Sequence, residues 1–162
     1  MAGASRQHNR ITSNTVIKLG NQLEKKPCNI YSSDMRVLIE SVGLFTYPDV
    51  VVTCGEELFA ETMLDNLLNP ILIIEVLSNS TEAYDRGKKF ELYQQIESLA
   101  EYILISQYEL KVEQFIKQND KTWLYSQKTA IDSVIYLASI DCQLILQDLY
   151  SKVEFKEPAP LR

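Results

Sequence analysis

The chain has 162 residues, 46% of them hydrophobic and 23% charged, with five Gly and five Pro, the make-up of a single domain that buries its own core without staples. No apolar run approaches the ~20 residues of a membrane span, and Met1 to Arg10 is polar with no hydrophobic signal region, which excludes a spanning segment and implies a soluble, unexported protein. The net charge of −6 argues against a broad phosphate-binding surface, although a divalent-metal site needs carboxylates of its own and a local basic patch can coexist with an acidic total.

Asn9 to Leu23 places Ile11, Val16, Ile17, Leu19 and Leu23 at helical spacing and predicts an amphipathic helix, ended by Lys25-Lys26-Pro27. Extended stretches follow at Asn29 to Tyr31, Met35 to Glu40 and Phe45 to Cys54, with Gly43 turning between the second and third. Glu56 to Asn69 reads as a loop with a short helix, punctuated by Asn69-Pro70. Ile71 to Leu77 is an apolar run broken by one charge, the pattern of a strand buried on both faces. Ser78-Asn79-Ser80-Thr81-Glu82 is rich in capping residues and opens a helix lasting to about Ile96. Strands are predicted at Glu101 to Ser106, Leu110 to Lys117 and Thr122 to Gln127, the last two joined at Asn119-Asp120, then a closing helix from Leu144 to Val153. Phe155 to Arg162 is expected to be a flexible tail. Strands grouped around one crossover helix imply an α/β (α+β) fold with a mixed sheet under helical cover.

Cys28, Cys54 and Cys142 lie far apart, are odd in number and form no C-x-x-C. Neither a disulfide framework nor a zinc knuckle is expected, and a reducing, cytoplasmic setting fits. No glycine-rich phosphate loop occurs, which disfavours a dinucleotide or nucleotide-triphosphate fold.

Glu75 is the most informative residue, because a carboxylate inside Ile71-Leu72-Ile73-Ile74-Glu75-Val76-Leu77 is costly to bury without a partner or a metal. The plain alternative is an ion pair with an Arg, or an exposed strand end. Asp49, after Pro48 and before Val50-Val51-Val52, stands at a strand entrance, since Pro fixes φ and donates no ladder bond. Two carboxylates on adjacent strands suit Mg²⁺ or Mn²⁺. On the following helix Glu82, Asp85, Arg86, Lys89 and Tyr93 fall near one face. Lys89 is the candidate cation, against the ordinary reading of an exposed pair with Asp85. Gly87, costly inside a helix, suggests a close approach by another backbone or a ligand.

Tyr47-Pro48-Asp49-Val50-Val51-Val52, Asn69-Pro70-Ile71-Leu72-Ile73-Ile74-Glu75-Val76-Leu77-Ser78 and Thr81-Glu82-Ala83-Tyr84-Asp85-Arg86-Gly87-Lys88-Lys89-Phe90 together resemble the Uma family of proposed bacterial endonucleases, in the PD-(D/E)XK nuclease superfamily. Ser33-Asp34-Met35-Arg36 and Leu99-Ala100-Glu101-Tyr102 also look like family positions, and the resemblance runs from about His8 to Tyr150. It implies one restriction-endonuclease-like domain over residues 1–162, a central mixed sheet flanked by helices, that lacks the family's usual N-terminal segment. The resemblance makes Asp49, Glu75 and the main-chain carbonyl of Val76 the metal ligands. Where the superfamily places a lysine two residues beyond the second acid, this chain has Leu77; the family resemblance moves that lysine to Lys89, with Lys88 as the neighbouring fallback. Glu24, Asp34 and Glu40 are further acids, none matching the family's N-terminal acidic position. His8 resembles a family position, but a lone His is more often structural, and it stays outside the expected site.

The implied activity is Mg²⁺-dependent hydrolysis of phosphodiester bonds in DNA by a homodimer, with Lys89 orienting water or stabilising the transition state. The rivals are a catalytically silent binding or assembly module of the same fold, and a metal-dependent hydrolase acting on another substrate.

Overall fold

A computed structural model describes residues 4–62 and 65–155. In chain order its elements are α1 (Arg6–Leu23), β1 (Cys28–Ser32), β2 (Arg36–Ile39), β3 (Leu44–Thr46), β4 (Val50–Cys54), β5 (Asn66–Leu67), β6 (Leu72–Leu77), α2 (Glu82–Arg86), α3 (Lys88–Tyr93), β7 (Glu101–Ser106), β8 (Val112–Lys117), β9 (Trp123–Lys128), β10 (Val134–Leu137), β11 (Cys142–Ile145) and α4 (Leu146–Leu149). The main sheet has six strands in the order β1-β4-β6-β7-β8-β9. β6 and β7 run parallel and every other pairing is antiparallel, so the sheet is mixed, as expected.

β6 and β7 lie at its centre, and every residue of both is buried, which is why their sequences read as apolar runs and not as alternation. One face carries Val50, Val52, Leu72, Ile74 and Val76 and is covered by α1, the β10–β11 hairpin and α4. The other carries Val51, Ile73, Leu77, Tyr102 and Leu104 and is covered by α3 and by Val37, Ile39 and Leu67 of the small β3-β2-β5 sheet. On α1 the buried stripe is Ile11, Thr12, Thr15, Leu19 and Leu23; Ile17, expected inside, is 56% exposed. Thr15 takes that place because its hydroxyl donates to the Ile11 carbonyl at 2.8 Å, which satisfies the group without water.

Five expectations are corrected. The stretch Phe45 to Cys54 is two strands, β3 and β4, divided at Tyr47-Pro48, where Pro cannot donate to a ladder. Glu56 to Asn69 holds no helix among its described residues; Asn66–Leu67 instead pairs with β2. The single helix after β6 is two, α2 and α3, interrupted at Gly87 (φ −103°, ψ −92°); a side chain there would meet the carbonyl oxygen of Ala83 at 3.3 Å, so the close neighbour is the backbone of the preceding turn. The closing helix is only Leu146–Leu149, preceded by the hairpin β10–β11. Finally, Cys28 and Cys54 stand opposite each other in the β1–β4 register and are disulfide-bonded. Their distance in sequence concealed that pairing, and it removes the cysteine argument for a reducing setting.

Of the expected flexible tail, residues 156–162 lie outside the described residues, and the Phe155 ring packs 5.6 Å from that of Tyr150. Among the described residues no helix is long and apolar enough to cross a membrane.

Candidate active site

Asp49 stands one residue before β4, and the antiparallel register that sets Val50 opposite Ile74 extends to set Asp49 opposite Glu75. Strand alternation places Asp49 with Val51, and Glu75 with Ile73 and Leu77, on the face covered by α3. The two acids line one cleft of about 630 Å³ with His8, Tyr47, Val76, Ser78, Asp85, Lys89 and Tyr108 among others. Asp49 is held through Oδ2, which accepts the Val76 N–H at 2.8 Å and lies 3.1 Å from Nε2 of His8. Glu75 is held through Oε1, which accepts the Tyr93 hydroxyl at 3.0 Å and lies 2.9 Å from Nζ of Lys89. Among the described residues no hydrogen bond reaches Asp49 Oδ1 or Glu75 Oε2.

The position where the superfamily lysine was expected shows why the charge comes from elsewhere. Leu77 is 2% exposed and packs with Phe90 and Tyr93 of α3 in the same core. The helix that covers this face delivers the ammonium instead: Lys89 Nζ reaches Glu75 and also Asp85 Oδ1, at 3.4 Å, and stands 5.8 Å over the Tyr93 ring. Lys88 points away and pairs with Glu91 at the surface.

Burial pushes the Glu75 carboxyl up to about 8; Lys89 pulls against that shift, and Asp49 and Asp85 add to it. Burial likewise raises Asp85, with Lys89 opposing. Burial works against the charge on Lys89, but Glu75 and Asp85 outweigh it and hold the ammonium above its usual range. Burial, reinforced by Glu75, pushes the Tyr93 hydroxyl well up. Two buried acids held above their usual range, mainly by loss of water, mark a place where a positive charge is favoured. Among the described residues no three His, Cys, Asp or Glu side chains converge as a complete metal cage. The donors present are nonetheless oxygens, each acid fixed by one oxygen with the other outside that bonding, and this fits a hard divalent cation that keeps some of its water.

Asp49, Glu75, Val76 and Lys89 therefore line one cleft. The sequence reading missed Tyr93 as a partner of Glu75, undervalued Asp85, and set His8 aside although it touches Asp49. Asp34 and Glu40 line other concavities, and Glu24 is the last-turn neighbour of α1.

The sequence matches the Uma2 family, described as "Putative restriction endonuclease", over residues 1–140. The chain belongs to the Uma2 family. Among relatives of this Uma2 chain are two from Synechocystis sp. One is the uncharacterized protein sll1609, 39% identical over 127 residues that cover 78% of this chain and 72% of the relative. The other is the uncharacterized protein slr1290, 34% identical over 155 residues that cover 96% and 80%. A solved structure, described as a putative nuclease belonging to DUF820 from Anabaena variabilis, superposes with a TM-score of 0.76 at 18% identity, covering 93% of this chain and 83% of that one. That likeness is one of fold, and it agrees with the restriction-endonuclease-like core expected from the sequence.

Proposed function

We propose that this Uma2 protein is a metal-dependent endonuclease that hydrolyses phosphodiester bonds of DNA. Asp49, Glu75 and the Val76 carbonyl would hold Mg²⁺ or Mn²⁺, and Lys89 would be the catalytic lysine. The observation that carries the reading is the meeting, in one cleft, of two opposed strand carboxylates with a half-buried lysine 2.9 Å from Glu75. The family description supports the same class of reaction. A bound divalent ion supplies Lewis-acid polarisation of the phosphoryl oxygen and a more acidic water. The chain's own part is positional: the Val76 N–H and His8 fix Asp49, Tyr93 fixes Glu75, and Asp85 steadies Lys89 beside them. Lys89 then offers a partly desolvated ammonium to the charge that develops on the phosphoryl group.

Cleavage of supercoiled plasmid tests this. Wild type should nick or linearise it with Mg²⁺ and not with EDTA. Lys89→Ala and Glu75→Ala should lose activity by at least about a hundredfold, and Lys88→Ala should stay close to wild type because its side chain faces solvent. Equal activity in wild type and Lys89→Ala would overturn the assignment of the lysine. The silent-module reading draws on one feature, the Lys89 ammonium already neutralising Glu75 and Asp85; no cleavage by wild type under any divalent ion would favour it. Assembly as a two-fold homodimer belongs to the same proposal, because a nuclease cutting both strands needs two sites and closed dimers are the commonest assembly. A monomer mass by light scattering over a wide concentration range would exclude the dimer.

A further inference from the structure

The first turn of α1 reaches the cleft at the end of the sheet, beside Asp49. Ser5, its N-cap, accepts the His8 N–H at 3.0 Å and donates its hydroxyl to Gln107 Oε1 at 2.5 Å. Gln107 is 4% exposed and donates through Nε2 to the Leu77 carbonyl at 2.7 Å. One buried amide thus ties the start of α1 to the end of β6, two residues past Glu75. The imidazole this clamp delivers has one polar contact: Nε2 lies 3.1 Å from Asp49 Oδ2, and Nδ1 is buried with no hydrogen-bond partner among the described residues. A buried ring nitrogen left without a partner costs free energy, so the ring is not there to complete a hydrogen-bond network of its own. Its orientation is set by Asp49 and by the clamp behind it.

We propose that His8 is a positioning residue: through the Ser5–Gln107 clamp its Nε2–H holds Asp49 by Oδ2, so that Oδ1 is presented to the divalent cation. The role rests on the metal-site reading above. It follows the general behaviour of outer partners of ligating carboxylates, whose loss costs roughly ten- to a hundredfold in metal affinity. The Val76 N–H also reaches Oδ2, but a main-chain donor fixes only one direction. Two donors on the same oxygen fix the plane of the carboxylate.

The test is Mn²⁺ binding to the full chain, by electron paramagnetic resonance of free Mn²⁺ and by calorimetry, with circular dichroism to confirm folding. His8→Leu should weaken Mn²⁺ about tenfold or more, and His8→Gln, which keeps an N–H donor, should recover most of that loss. Gln107→Met, which loosens the clamp without touching Asp49, should weaken Mn²⁺ in the same direction by a smaller factor. Wild-type affinity in a folded His8→Leu protein would overturn the proposal and leave the metal site standing, as would equal weakening by His8→Leu and His8→Gln. If His8→Leu fails to fold, the other two decide: a strong His8→Gln protein with a weakened Gln107→Met protein supports the role, and the reverse overturns it. No Mn²⁺ binding by wild type would remove the metal site itself, and the role of His8 with it.

Discussion

Two buried glutamates of the main sheet are neutralised in opposite ways. Burial pulls the Glu113 carboxyl up, but hydrogen bonds from Arg86 and Tyr125 outweigh it and hold the group below its usual value of 4.5. A carboxylate with a depressed folded pKa contributes stability that is complete above about pH 4.5 and is lost as pH falls through the folded value. Glu113→Gln should therefore cost about 2 kcal/mol near neutral pH and flatten the acid limb of the stability curve. Urea midpoints measured at about pH 7 and about pH 3 check this, and an unchanged midpoint at neutrality would contradict it. Glu75 has the opposite sign: burial pushes its carboxyl up to about 8, so its charged form is disfavoured, and its contribution falls as pH rises from 4.5 toward that value. That asymmetry was legible in the sequence, because a lone Glu in an apolar strand has no local partner. The identity of its partners was not, since Lys89 and Tyr93 lie on a later element and His8 reaches Asp49 from the far end of the chain.

At the scale of elements, what could be read was whatever a local pattern determines: α1, the buried strands β6 and β7, and the β8–β9 hairpin. The β10–β11 hairpin escaped although its alternation is clear in Val134–Leu137 and Cys142–Ile145, whose outward residues include the half-exposed Tyr136. The apolar count of the second strand merged with that of α4 and read as one helix. Cross-strand facts are the hardest to read, and the Cys28–Cys54 pair is the plainest case, because only the β1–β4 register brings the two together. Its bond closes a loop with a sequence separation of 26, for which chain entropy gives about 3 kcal/mol. Reduction should lower the melting temperature by roughly 6–12 °C, with no such response in a Cys28→Ala/Cys54→Ala chain. Equal melting with and without reductant in the wild type would show that the thiols are unbonded in solution.

Taken whole, the molecule is an acidic protein whose proposed substrate is also acidic. With a net charge of −6, it has little to offer a phosphate backbone by itself, and the proposed divalent ion would be the main attraction. Fluorescence anisotropy with a labelled DNA duplex should show no binding in EDTA and measurable binding once Ca²⁺ is added. Binding in EDTA as tight as with Ca²⁺ would place the phosphate contacts on side chains instead.

The parallel pairing of β6 with β7 has a consequence for a chain still being made. Asp49, Glu75 and Lys89 all emerge before residue 90, yet the central strand that bears Glu75 has no neighbour on one side until Ser106 is out, and the clamp on α1 closes only at Gln107. Parallel pairing across a helical crossover is slow to form and rewards the chain late. A ribosome-bound fragment ending before β7 would therefore carry Asp49, Glu75 and Lys89 without the neighbouring strand and the clamp that hold β6 in place, so the proposed activity would wait for both.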